Sequence, residues 1–141
     1  MAIVLYCVAC NNTNSTFTEY IKSYSKDTVL SADDVTTIEW KSARLDLGKS
    51  KRGPDIDMEF QFKNTGKKPL VIDSAFVACG CTEFSLPEQP VMPGKRGIIK
   101  ARYISKDQPL AHNIKEIYLR ANTSNSAYHT LAFKIELTED E

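Results

Sequence analysis

The 141-residue sequence has no excess charge of either sign: Lys plus Arg and Asp plus Glu both number 18. A nucleic-acid-binding chain carries surplus basic residues, because each phosphate contact has to replace a counterion. No such partner is therefore expected. The one basic cluster, Lys49-Ser50-Lys51-Arg52, is short, runs into Gly53-Pro54 and reads as a solvated loop. No run of about 18 apolar residues occurs, so no bilayer-spanning helix is expected. The sequence has no Gly-x-Ser-x-Gly elbow, no His-Glu-x-x-His pair and no Gly-rich phosphate loop. The two histidines, His112 and His129, stand apart, and neither can be placed beside a cysteine as a base. Carboxylates are plentiful but fall on wet strand faces or in the terminal Glu139-Asp140-Glu141. The chain is expected not to be an enzyme, and no cofactor is expected.

What is there begins with an address. Met1–Cys10 is a short apolar run ending in Cys7-Val8-Ala9-Cys10. Small residues before a cysteine resemble the bacterial lipobox, which implies cleavage before Cys10 and acylation of that residue. Several acyl chains on one residue anchor a protein stably, where a single chain does not. Met1–Tyr6 lacks the basic residues of a signal n-region. The polar stretch Asn11-Asn12-Thr13-Asn14-Ser15-Thr16 suits a tether leaving a membrane surface. Phe17, Tyr20, Ile21 and Tyr24 then recur at the spacing of one helical face, so 11–34 reads as a tether or one short helix.

From Val35 the texture changes to strands. Thr36–Trp40 and Ala43–Leu47 are β-prone, the second closed by Gly48. In Asp55–Lys63, Ile56, Met58, Phe60 and Phe62 alternate with polar residues, the period of a half-buried strand. Asn64–Pro69 is turn chemistry, and Leu70–Ala78 reads as the next strand. Pro87, Pro90, Pro93 and Gly94 exclude long elements in the middle. Gly97–Ile104, Asn113–Ala121 and Tyr128–Leu137 complete the set, with Asn122–Ala127 as a loop. Six or seven short strands with one wet face favour an antiparallel sandwich or barrel over 35–138. Lys100, Arg102, Lys115 and Arg120 are candidates for charges that blunt sheet edges.

Five features carry a family resemblance: Leu45-Asp46-Leu47-Gly48, Phe60-Gln61-Phe62-Lys63-Asn64-Thr65-Gly66, Pro69-Leu70-Val71-Ile72, Cys79-Gly80-Cys81-Thr82, and Pro93-Gly94 with Gly97. Over residues 35–137 the chain resembles the domain of unknown function 1573 family, common in exported proteins of Bacteroidetes. Leu47 stands where that family usually has an aromatic before the glycine, a modest change for a core position. The resemblance implies an immunoglobulin-like fold, similar to Hydin domains and major sperm protein: an all-β, immunoglobulin-like antiparallel sandwich of about seven strands. It brings no settled activity.

Cys79-Gly80-Cys81 is the one motif with reactive potential. On a strand, residues i and i+2 face one side, so both thiols would point the same way. Three readings stand open. The pair is a structural disulfide or thiol pair; it is a labile disulfide, since an extended strand holds i and i+2 near the upper limit for bridging; or it binds a soft metal such as Cu(I), with Met58, Met92, His112 or His129 as further donors. Zinc is disfavoured, because no second cysteine pair follows. The expected function is an extracytoplasmic interaction or structural module, tethered to the envelope membrane through a lipid on Cys10 and serving a protein or envelope component. The alternative is copper or thiol-redox chemistry at Cys79 and Cys81.

Overall fold

A computed structural model describes residues 33–139. The lipobox reading of Cys10 and, but for Asp33 and Asp34, the tether or helix read over 11–34 lie outside the described residues.

The described chain is all strand and turn. Its strands are β1 (Ile38–Trp40), β2 (Arg44–Lys51), β3 (Ile56–Asn64), β4 (Ile72–Val77), β5 (Thr82–Ser85), β6 (Arg96–Tyr103), β7 (His112–Ala121) and β8 (Tyr128–Thr138). They form two four-stranded sheets, ordered β1-β3-β6-β5 and β2-β8-β7-β4. Alternation decides which side of each strand is dry. On β3, Met58, Phe60, Phe62 and Asn64 are buried; on β6, Gly97, Ile99, Ala101 and Tyr103 alternate with the exposed Arg96, Ile98, Lys100 and Arg102. Ile117 and Leu119 of β7 and Leu131, Phe133, Ile135 and Leu137 of β8 supply the opposite wall. The result is an immunoglobulin-like β-sandwich.

The structure departs from the sequence reading in four places. There are eight strands rather than seven, because Thr82–Ser85 pairs with β6 just beyond the cysteines. One pairing, β2 with β8, is parallel. β2 does not stop at Gly48. That residue takes φ 68°, and the register with β8 shifts between Asp46 and Lys49, so the strand passes through a bulge that glycine permits. Finally, Lys100, Arg102, Lys115 and Arg120 do not guard edges, since β6 and β7 are interior strands. Arg102 instead pairs with Asp57 across β3 and β6 at 2.7 Å, and Arg120 with Asp73 across β4 and β7 at 2.6 Å. The real edges are β1 and β2 on one side, β5 and β4 on the other.

Candidate functional site

The strand expected over Leu70–Ala78 spans only Ile72–Val77, so Cys79-Gly80-Cys81 lies in a turn rather than on a strand. This turn carries the chain from edge strand β4 of one sheet to edge strand β5 of the other. Turning brings the two Cα atoms to 5.3 Å, within the ordinary range for a bridge, and Cys79 and Cys81 form a disulfide. Cys81 is buried at 7% exposure and its carbonyl accepts the Ile104 N–H at 2.8 Å. Cys79 is half-buried against the core, and Gly80 between them is exposed, with open space where a side chain would stand. A bridge closing so short a loop constrains the unfolded chain little: the loop-entropy relation gives about 1.6 kcal/mol for three residues, against about 3 for fifteen.

Two inward residues share that end of the sandwich. Tyr103 closes β6, opposite Thr82 in register, with its ring edge-on to Phe133 at 5.2 Å. It is fully buried, and its hydroxyl finds no hydrogen-bond partner among the described residues. Burial pushes its pKa up. Lys115 follows the buried phase of β7, between Asn113 and Ile117 and opposite Phe133, and its Nζ lies 6.0 Å from the Tyr103 ring centre.

The further metal donors weighed from sequence are scattered. Met58 is in the core. Met92 sits in the turn at the far end, where Lys95 and Gly94 hydrogen-bond. His112 is exposed on β7 opposite Glu136. Both ring nitrogens of His129 are engaged. Trp40 Nε1, which can only donate, reaches Nδ1 at 3.4 Å, and Nε2 meets Thr123 Oγ1 at 2.8 Å. That arrangement fixes a neutral ring, and desolvation by burial holds its pKa below the usual 6.5. Among the described residues, no three His, Cys, Asp or Glu side chains gather as a metal set.

The outer face of the β2-β8-β7-β4 sheet has a different character. Phe76 is 63% exposed and stacks on Tyr118 at 4.9 Å. Tyr128, 73% exposed, lies opposite Arg120, and Ile114, 67% exposed, lies opposite Lys134. Tyr118 Oη donates to Glu116 at 2.5 Å, which raises the phenol's pKa. Aromatic groups beside a fixed guanidinium, left in water on one face, are the composition of interface hot spots.

The Phe60–Gly66 motif finds its physical meaning at the far end. Asn64 is fully buried and its amide is saturated. Oδ1 accepts from Thr36 Oγ1 at 2.7 Å and Gly66 N at 3.0 Å, and Nδ2 donates to Lys68 O at 2.7 Å and Val91 O at 2.8 Å. Gly66 is required beside it, because a Cβ there would come within 2.1 Å of Thr36 Oγ1 and 2.6 Å of the Thr37 backbone nitrogen. The sequence profile of the family described as "Protein of unknown function (DUF1573)" matches residues 38–137. This chain belongs to the DUF1573 family.

Solved structures show the same fold. A protein of unknown function from Porphyromonas gingivalis W83 superposes with a TM-score of 0.66 at 18% identity, over 77% of this chain and 50% of that one. The PapD-like domain 7 of human CEP192 gives 0.54 at 10%, over 81% and 94%, and the Pseudomonas aeruginosa CupB2 chaperone gives 0.52 at 11%, over 70% and 55%. The chain thus spans half the length of the P. gingivalis protein. No curated protein sequence matches significantly.

Within this DUF1573 domain the sequence pattern set Cys79 and Cys81 on a strand, whereas they lie in a turn, and it did not reveal that Tyr103 and Lys115 share their end of the sandwich. Lys115 carried a legible signal, a charged residue in the apolar phase of β7. Tyr103 carried a weaker one, the last buried position of β6. Asn122 looked like the first loop residue. It is in fact fully buried, accepting from Val71 N at 2.8 Å and donating to Asp34 O and Pro69 O at 2.9 Å each.

Proposed function

We propose that this DUF1573 chain is a non-catalytic interaction or structural module of the cell envelope, lipid-tethered through Cys10 and engaging a protein or other envelope component. The single observation that carries the interaction reading is the face on which exposed Phe76 and Tyr128 stand beside half-buried Tyr118 and Arg120. An antiparallel sheet with one wet side normally shows polar residues there, so large rings kept in water imply a surface that is covered part of the time. The lipobox resemblance of Cys7-Val8-Ala9-Cys10 supports the tether.

The test uses the full chain in a bacterial envelope, labelled with a fatty-acid analogue and carrying a photo-crosslinking residue at Phe76, at Tyr128 or, as control, at Lys106. Label lost on Cys10→Ser, with adducts from the first two sites alone, is the expected result. No label removes the tether, and equal or absent adducts at all three sites remove the face. A second reading, thiol–disulfide chemistry, is favoured by the bridge between Cys79 and Cys81. Cu(I) binding there would require that bridge to be opened first, since the metal takes thiolates.

A further inference from the structure

We propose that the Cys79–Cys81 turn is a thiol–disulfide exchange site for a dithiol protein, with Cys79 as the attacked sulfur and Lys115 as its positioning residue. The proposal rests on the second reading above, thiol–disulfide chemistry at this bridge, and depends neither on the aromatic face nor on the lipid. Three observations converge on it. The bridge closes a short loop and so constrains the unfolded chain about half as much as a fifteen-residue loop would. It is accessible from one side only: Cys79 is half-buried, Gly80 leaves open space beside it, and Cys81 is buried. And a cation lies at the same end. Val77 opposite Ile117 is the last pair of the β4–β7 ladder; beyond it the chain leaves β4 into the cysteine turn while β7 continues to Lys115, which therefore stands on the turn's side of that pair. Lys115 is half-buried there, with its Nζ 6.0 Å from the centre of the Tyr103 ring. An ammonium near a sulfur stabilises the thiolate that reduction releases.

The exchange runs in two displacements. A thiolate of the incoming dithiol attacks Cys79 Sγ. The Cys79–Cys81 bond breaks, a mixed disulfide forms on Cys79, and the electron pair leaves on Cys81 Sγ, which takes up a proton. The dithiol's second thiol then gives up its proton and attacks its own partner sulfur, expelling Cys79 as the thiolate, which is protonated in turn. The dithiol ends as a disulfide, having lost two electrons and two protons, and the turn ends as two thiols.

The experiment uses the full chain in mixtures of reduced and oxidised glutathione, with the Cys79–Cys81 peptide read by alkylation and mass spectrometry so that Cys7 and Cys10 do not interfere. Both forms of the pair are expected to be populated within that buffer range. A bridge that stays closed in excess reduced glutathione, or a pair that never re-forms, overturns the proposal. Direction of attack is read from single variants. Cys81→Ser, which leaves Cys79, should form a mixed disulfide with oxidised glutathione about ten-fold faster than Cys79→Ser, following exposure; equal rates overturn the assignment of Cys79. Lys115→Met should slow reduction about three-fold or more, with Lys115→Arg restoring it and the melting temperature of each oxidised variant near that of the parent. Unchanged rates in Lys115→Met remove Lys115 from the site.

Discussion

The two ends of this sandwich treat buried polar groups in opposite ways. At one end, Asn64 and Asn122 are fully buried with every amide atom partnered, and together they tie Thr36, Gly66, Lys68, Pro69, Val71 and Val91 to one another. At the other end, Tyr103 keeps an unpartnered hydroxyl, half-buried Lys115 lies over its ring, and the chain crosses between sheets through a two-residue-separated disulfide. Satisfaction is not missing there altogether, for Ser105 is also buried and both accepts from Gly53 N and donates to Pro54 O at 2.9 Å. A saturated network fixes one arrangement, because every alternative leaves a dry polar atom unpaired. An end that tolerates an orphan hydroxyl and a half-buried lysine has given up some stability, which is the usual mark of a site kept for chemistry.

This contrast can be broken by substitution. The largest effect is expected at Asn64→Ala, which removes four hydrogen bonds at once and should cost about 3 kcal/mol or more, read as a lowered denaturation midpoint in urea. A loss under about 1 kcal/mol would mean that water replaces the amide and the saturated end is no clamp. The paired change Cys79→Ser with Cys81→Ser should cost at most about 1.6 kcal/mol in the same assay, because the loop it opens is so short. A loss as large as that of Asn64→Ala would make the disulfide the true staple. Tyr103→Phe should leave stability unchanged or raise it by up to about 1 kcal/mol, since it deletes a hydroxyl that pays for burial without a bond. Destabilisation would show that the hydroxyl has a partner after all.

The smallest effect is a pH dependence at the saturated end. His129 has a folded-state pKa below its ordinary 6.5, so the unfolded chain takes up a proton first as pH falls. Stability should be full above pH 6.5, decline as pH drops from there through the folded-state pKa, and level off below it. His129→Gln should flatten that slope between neutral and mildly acid pH, measured by thermal melts; an identical slope in the variant would place its origin elsewhere.

Much of this was legible in the sequence, for physical reasons that differ by residue. Ile56, Met58, Phe60 and Phe62 had to share one dry face once they lay on a strand, because side chains alternate with period two whatever the partner. Cys79 and Cys81 had to be neighbours, since one residue separates them. The Phe60–Gly66 and Cys79–Thr82 motifs were enough to name the family, and the profile match over residues 38–137 bears that out. What no local pattern contains is which strand lies beside which. Pairing is set by closing long loops and matching two dry faces, a property of the whole chain. So only the tertiary structure decided that β2 runs parallel to β8, and that Lys100 and Arg120 lie inside sheets rather than at their edges. Only it showed that Asn122 is a buried clamp rather than a loop residue, and that Lys115 and Tyr103, far apart from the cysteines in sequence, stand at the same end of the sandwich as the bridge.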